Sequence, residues 1–117
     1  CAFEKNEDDE NYGILKENYD ILMNSKDENG NKLNIIKLPM PGFVADENGK
    51  RLPASYANFY ISNKVVLVPV FGHENDKKAL SIIQKCFPDK KVIGIDCRDL
   101  VYGLGTIHCA SQQQPAI

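Results

Sequence analysis

The sequence predicts a mixed α/β chain that forms one slice of a larger repeat architecture. Strand-like and helix-like segments alternate along it, the pattern of strands covered by helices. They also fall into two units of similar order: strand, helix, strand over residues 1–38, and strand, strand, helix, strand over 57–95. The first reads as a module cut at its start and the second as a full module. Residues 103–117 form a cysteine-bearing loop and a polar tail. Units of this kind bury their faces only against stacked neighbours. The chain is therefore expected to be domain-sized without being domain-complete.

Residues 1–3 read as the end of a strand, followed by an acidic loop from Glu4 to Glu10. Asp8 or Asp9 is expected to cap the next helix through its side-chain oxygen. Tyr12, Leu15, Tyr19 and Leu22 recur at helical spacing, supported by Ile14 and Met23, so a helix is expected over 10–24 with the two tyrosines packed in the core. Asp27-Glu28-Asn29-Gly30 ends the unit as a turn, because Asn-Gly tolerates positive φ. Leu33 to Leu38 reads as a short strand, broken by Pro39-Met40-Pro41-Gly42. A second Asp-Glu-Asn-Gly at 46–49 is expected at the tip of a hairpin between Phe43-Val44 and Arg51-Leu52.

Asn58 to Ser62 and Val65 to Phe71 read as a hairpin whose second, β-branched strand is deeply buried. Pro69 inside that strand donates no ladder hydrogen bond, so it marks an edge or a bulge. Asn75 or Asp76 is expected to cap a helix carrying Ala79, Leu80, Ile83 and Phe87 on one face. Lys91 to Ile95 is the next strand, Arg98 to Tyr102 a helical turn, and Thr106 to Ser111 a last short strand. Asp96 and Asp99 are expected to order the loop by accepting from backbone amides.

Of 117 residues, 43% are apolar and 26% charged, which excludes disorder. Lys plus Arg is 14 and Asp plus Glu is 16, a net charge of −2. That balance argues against a nucleic-acid partner, which would be met by a basic patch. No apolar run approaches the ~18 residues that span a bilayer, so no membrane partner is expected. The chain opens without Met and without a signal-peptide pattern; it reads as trimmed, and a cytoplasmic setting is expected. Cysteines at 1, 86, 97 and 109 are then expected as free thiols. No Cys-x-x-Cys or His-x-x-x-His pair is present, so neither a metal nor a cofactor is expected.

The sharpest local pattern is Tyr102-Gly103-Leu104-Gly105-Thr106-Ile107-His108-Cys109. Glycines let backbone approach a ligand closely, and a short strand then delivers a thiol. Such a thiol is a candidate nucleophile if a nearby cation or base lowers its pKa. A buried structural cysteine is the competing reading. His108 is not expected to be the base, because neighbours on a strand face opposite ways. The other histidine, His73, lies in the loop before the second helix. The residues alone leave both readings open.

The stretches NIIKLPMPG (34–42), ASYANFYISNKVVLVPVFG (54–72), KVIGIDCRDLVYGLGTIHC (91–109) and ASQQQP (110–115) resemble the carboxy-terminal part of the bacterial agmatine deiminases. These belong with the Porphyromonas-type peptidylarginine deiminases. The resemblance implies a pentein fold, a five-bladed α/β propeller of ββαβ modules. It implies hydrolysis of a guanidinium group, with agmatine giving N-carbamoylputrescine and ammonia in polyamine (putrescine) metabolism. Peptidyl arginine is the alternative substrate. Cys109 matches the family's nucleophile. Asn58, Leu104 and Gly105 are the expected substrate-side residues, with Leu104 in place of the middle glycine of the family's loop. The family's acid–base histidine sits in a His-x-Asp motif, which this chain lacks. A non-catalytic binding module is therefore the rival expectation for the chain alone. Apolar faces left without neighbours are expected to favour a homo-oligomer.

Overall fold

The computed structural model describes residues 1–115; the last two residues of the expected polar tail, Ala116 and Ile117, lie outside the described residues. Two small sheets form. In the first, β1 (Ala2–Phe3) runs parallel to β2 (Leu38–Pro39), with α1 (Tyr12–Asn24) between them in sequence. In the second, β3 (Tyr60–Ile61), β4 (Val65–Val70) and β5 (Lys91–Asp96) lie in that order, the first pair antiparallel and the second parallel. Helix α2 (Asn75–Cys86) connects β4 to β5 and packs against both β5 and β2. A parallel pair needs such a crossover. A short 3₁₀ helix, Leu100–Gly103, follows β5.

The core is one cluster. Val66 and Val68 of β4 are fully buried with Ala79 and Ile83 of α2, Tyr56, Cys97 and Val101. The helical spacing on α1 is also right: Tyr12, Leu15, Tyr19 and Leu22 are half-buried, and Tyr19 meets Phe3 edge-on at 5.4 Å. No residue of α1 is buried, however, and Ile14, Ile21 and Met23 face solvent. Pro69 sits in the middle strand without a bulge, paired with Ile95. Its ring nitrogen points to the β3 side of β4, like the polar groups of Leu67, and β3 stops at Tyr60 opposite Leu67. The missing donor thus falls where no ladder partner exists.

Four local expectations are corrected. Residues 33–37 are not strand; pairing begins at Leu38, because β1 offers only two residues as a partner. Residues 106–111 are not strand either. The Ala110 N–H donates to the Thr106 carbonyl at 2.9 Å, which closes a helical turn. Asp9 does not cap α1 through its side chain; its carboxylate accepts from the Asn11 N–H and takes Arg51 in a two-pronged ion pair at 2.9–3.1 Å. Neither Asn75 nor Asp76 caps α2 from outside. Asp76 lies in the first turn and accepts from the Phe71, Gly72 and His73 N–H groups and from the Tyr56 hydroxyl at 2.6 Å. A carboxylate there also faces the positive end of the helix dipole.

The repeated Asp-Glu-Asn-Gly segments fold alike. In each, the aspartate Oδ1 accepts from the backbone two and four residues on, and the glycine has φ near +80° (Gly30 81°, Gly49 77°). The second closes the expected hairpin through an Ala45–Arg51 bridge and a Leu52 N–H to Val44 carbonyl bond of 2.8 Å.

Candidate active site around Cys109

The core delivers a thiol to the surface. After β5, Cys97 is buried, and its N–H donates to the Val70 carbonyl at 2.9 Å. Burial pushes this thiol up, with the charge of Asp96 adding to the effect. Of the four cysteines it is the buried one. Asp96 accepts from the Arg98 N–H at 3.1 Å and holds its guanidinium, as expected of a loop-ordering group, whereas Asp99 takes part only through its backbone carbonyl, which accepts from the Tyr102 N–H at 3.3 Å. The 3₁₀ helix then ends at Leu104, which adopts the left-handed conformation (φ 64°, ψ 25°) and is 67% exposed. The chain reverses there and makes the helical turn that carries Cys109.

Cys109 is exposed and free, as are Cys1 and Cys86; Cys97 is free and buried. Asn58 holds the turn at three points, across 51 residues of sequence. Its Oδ1 accepts from the Cys109 N–H at 3.2 Å, its Nδ2 donates to Cys109 Sγ at 3.0 Å, and its carbonyl accepts from the His108 N–H at 3.2 Å. Gly105 lies directly against the thiol: a Cβ at 105 would stand 2.7 Å from Cys109 Cβ and 3.0 Å from Sγ. Only glycine admits that approach. Gly103, Gly105, Thr106 and Cys109 line a recess of about 220 Å³ with Leu100 and Ala110. Leu104 is outside that lining. The structure therefore gathers Cys109, Asn58 and Gly105 and leaves Leu104 exposed outside the recess.

Two features escape the sequence. Thr106 is 1% exposed, and its Oγ1 has no hydrogen-bond partner among the described residues. No sequence signal marks it. The segment bearing Asn58 is fixed from below by Tyr56, which is fully buried with its hydroxyl on Asp76. Burial, then the Asp76 carboxylate, raise the Tyr56 pKa far above its ordinary value, so the hydroxyl stays a donor. An aspartate in the first turn after a buried strand was the available hint. His73 is used elsewhere: its Nδ1 accepts from the Asn75 N–H at 3.1 Å, and its ring packs on Gly42. His108 is exposed beside Asn58. Among the described residues no cluster of His, Cys, Asp or Glu suits a metal ion, and no helix is long and apolar enough to cross a membrane.

Residues 1–115 match the Porphyromonas-type peptidyl-arginine deiminase family. The chain belongs to that family. A candidate agmatine deiminase of Latilactobacillus sakei is 38% identical over 98% of this chain and 36% of its own length. A crystal structure of a candidate arginine deiminase from Porphyromonas gingivalis superposes with a TM-score of 0.93 at 40% identity, covering 97% of this chain and 33% of the other. Agmatine deiminase of Enterococcus faecalis gives a TM-score of 0.85 at 34% identity, over 97% of this chain and 36% of the other. These neighbours are pentein-fold proteins, and the mixed α/β chain follows one part of that fold. The chain spans about a third of the length of the relatives it matches.

Proposed function

We propose that Cys109 is the nucleophile of a guanidine-group hydrolase, and that the substrate is agmatine: agmatine plus water gives N-carbamoylputrescine plus ammonia. The observation that carries this reading is the placement of Cys109. In a member of this deiminase family, it is exposed, clamped by Asn58 and overlaid by Gly105 at a surface recess. The thiolate attacks the guanidinium carbon, forming the C–S bond and a tetrahedral adduct. An amino group takes a proton and leaves as ammonia, which gives an amidino-thioether. Water then adds to that carbon and the thiolate departs, releasing the ureido product. The cationic substrate favours the thiolate by direct charge pairing.

Both proton transfers need a base, and the chain has no His-x-Asp sequence. The reading assigns the base and the carboxylates that grip the guanidinium to the sequence that longer relatives carry beyond this span. The 117-residue chain alone is then inactive, and the enzyme works in the cytoplasm without a cofactor, with its apolar faces covered by further modules or by a second copy. A family described by peptidyl-arginine deimination makes arginine peptides the second substrate class.

The test is ureido-product formation from agmatine and from arginine-containing peptides, by the chain and by a full-length protein containing it. The full-length protein should turn over agmatine, and Cys109→Ala should abolish this. Undiminished turnover in that variant removes Cys109 as nucleophile. Ammonia release by the short chain alone would bring His73 or His108 in as the base.

A further inference from the structure

We infer that the recess between the β1–β2 pair and α2 is a binding site for a phosphate group, whose charge is met by Lys5, Lys37 and Lys78. The recess holds about 190 Å³ and is lined by these lysines with Phe3 and Pro39. Its lining shares no residue with the recess of Cys109. The fold brings the lysines together from separate segments. Phe3 and Pro39 are partners in the parallel register of β1 and β2, with Lys5 two residues past the one and Lys37 two residues before the other. On α2, Asn75 Nδ2 donates to the Met40 carbonyl at 2.9 Å, and Lys78 follows three residues on, on the same helix face.

The charge of this lining is not neutralised. No carboxylate lines the recess, and none of its ammonium groups is in an ion pair among the described residues. The nearest acidic side chains in sequence do not fill that role. Glu4 Oε1 accepts from the Lys5 and Asn6 N–H groups at 2.8 and 2.9 Å. Glu74, one turn before Lys78, makes no ion pair with it. General basicity does not explain the cluster, since the chain carries 16 acidic against 14 basic residues. The larger recess along α1 shows the ordinary arrangement: Lys16 is paired with Asp20 at 2.7 Å, and Glu17 shares the lining.

The placement of two of the lysines favours an anion. Lys78 is the fourth residue of α2, near the positive end of the helix dipole, where a cation is disfavoured and a bound anion is welcome. Lys37 Nζ stands 3.8 Å from the Phe3 ring centroid and 4.1 Å from that of Tyr19, so the rings hold it at the wall of the recess. A cation held before the ligand arrives loses less freedom on binding. The chemistry of the lining selects phosphate. An ammonium is a point charge suited to phosphate, whereas planar carboxylates are gripped best by the arginine fork, and no arginine lines the recess. Pockets for drug-sized ligands hold about 300–1,000 Å³. The smaller volume here suits a free phosphate ion or the phosphate end of a small ester.

The test is calorimetric titration of a full-length protein containing the chain, with inorganic phosphate and separately with glycerol 3-phosphate, in chloride buffer at fixed ionic strength. It reads binding and needs no turnover, so its failure is distinct from failure of the deiminase reading. Saturable binding of at least one ligand is expected, and the tighter of the two tells whether the free ion or the ester is the better fit. Lys5→Gln, Lys37→Met and Lys78→Gln should each weaken binding about tenfold, the loss of one charge-assisted contact. Lys64→Gln, at an exposed lysine outside the recess, should leave it unchanged. Glutamine at an exposed position leaves folding intact, and methionine keeps the packing on the two rings. Should Lys37→Met still unfold, Lys5→Gln and Lys78→Gln decide. Phosphate should also raise the wild-type Tm by mass action, and the rise should shrink in those two variants. Absence of saturable binding for both ligands overturns the proposal, as does equal weakening by Lys64→Gln.

Discussion

Gly103 and Gly105 stand two residues apart in one loop, and the structure assigns them opposite tolerances. A Cβ at 105 would lie 2.7 Å from Cys109 Cβ, against an ordinary carbon–carbon contact of about 3.5–4.0 Å. The obstacle is a Cβ, fixed to its own backbone, so no side-chain rotation relieves it. The two loop strands must part by about 0.8 Å or more. The Cys109 N–H bond to Asn58 Oδ1, already 3.2 Å, does not survive such a shift. Overpacking costs about 1–3 kcal/mol and the lost bond about 1 kcal/mol, so Gly105→Ala should destabilise by about 2–4 kcal/mol. Gly103 has nothing within 4 Å of its would-be Cβ and is absent from the positive-φ glycines. Gly103→Ala should therefore be neutral, or stabilise by about 0.4–1 kcal/mol through the unfolded chain. Equilibrium urea denaturation at unchanged slope measures both. If the two variants fall within about 0.5 kcal/mol of each other, steric contact with Cys109 is not why residue 105 is glycine.

The Asp76 cluster and the Asp9–Arg51 pair give two further checks. Tyr56→Phe removes one of four donors from Asp76 and should cost about 1.5 kcal/mol; Asp76→Ala leaves three loop amides and a buried hydroxyl without a partner, and should cost more than twice as much in the same denaturation assay. At Asp9, burial pushes the carboxyl up, but the Arg51 guanidinium and the Asn11 N–H outweigh it, and its pKa ends below the usual value. A depressed folded pKa contributes stability that is complete above the unfolded value of about 3.9 and is lost as pH falls through the folded one. Asp9→Asn should thus be less stable than wild type at neutral pH, with the gap closing below about pH 4. A gap that stays constant from pH 7 to pH 3 in thermal denaturation would remove the ion pair as its source.

What was legible in the sequence is what depends on near neighbours. Helical spacing placed Tyr12, Leu15, Tyr19 and Leu22 on the half-buried side of α1, and β-branched density marked β4 as the buried strand. Asp-Glu-Asn-Gly identified both turns because an aspartate accepting from the amides two and four residues on is a local event. The caps failed for a related reason. Asp9 lies two residues before the cap position of α1 and Asp76 two residues after that of α2, and each finds partners farther along the chain: Arg51 is 42 residues away and Tyr56 is 20. Propensity ranks what a carboxylate does in isolation, and a guanidinium or several loop amides outbid a single helix amide.

The same asymmetry governs the site. The loop pattern Gly103 to Gly105 points to Cys109, yet the pattern after it predicts a strand, and strand alternation is the sequence argument against His108. In the structure the segment is a helical turn, so that case no longer stands on alternation. What sets the two residues apart is the bonding of Asn58, which takes both backbone N–H groups but gives its amide donor to the sulfur alone. A pattern reader sees a cysteine after glycines. The hydrogen bonds to that cysteine come from an asparagine 51 positions upstream, in a segment anchored by a tyrosine whose own partner begins the next helix. Asn58, which the resemblance marks only as a substrate-side residue, makes its contacts through hydrogen bonds to residues 50 and 51 positions away, beyond the reach of local pattern.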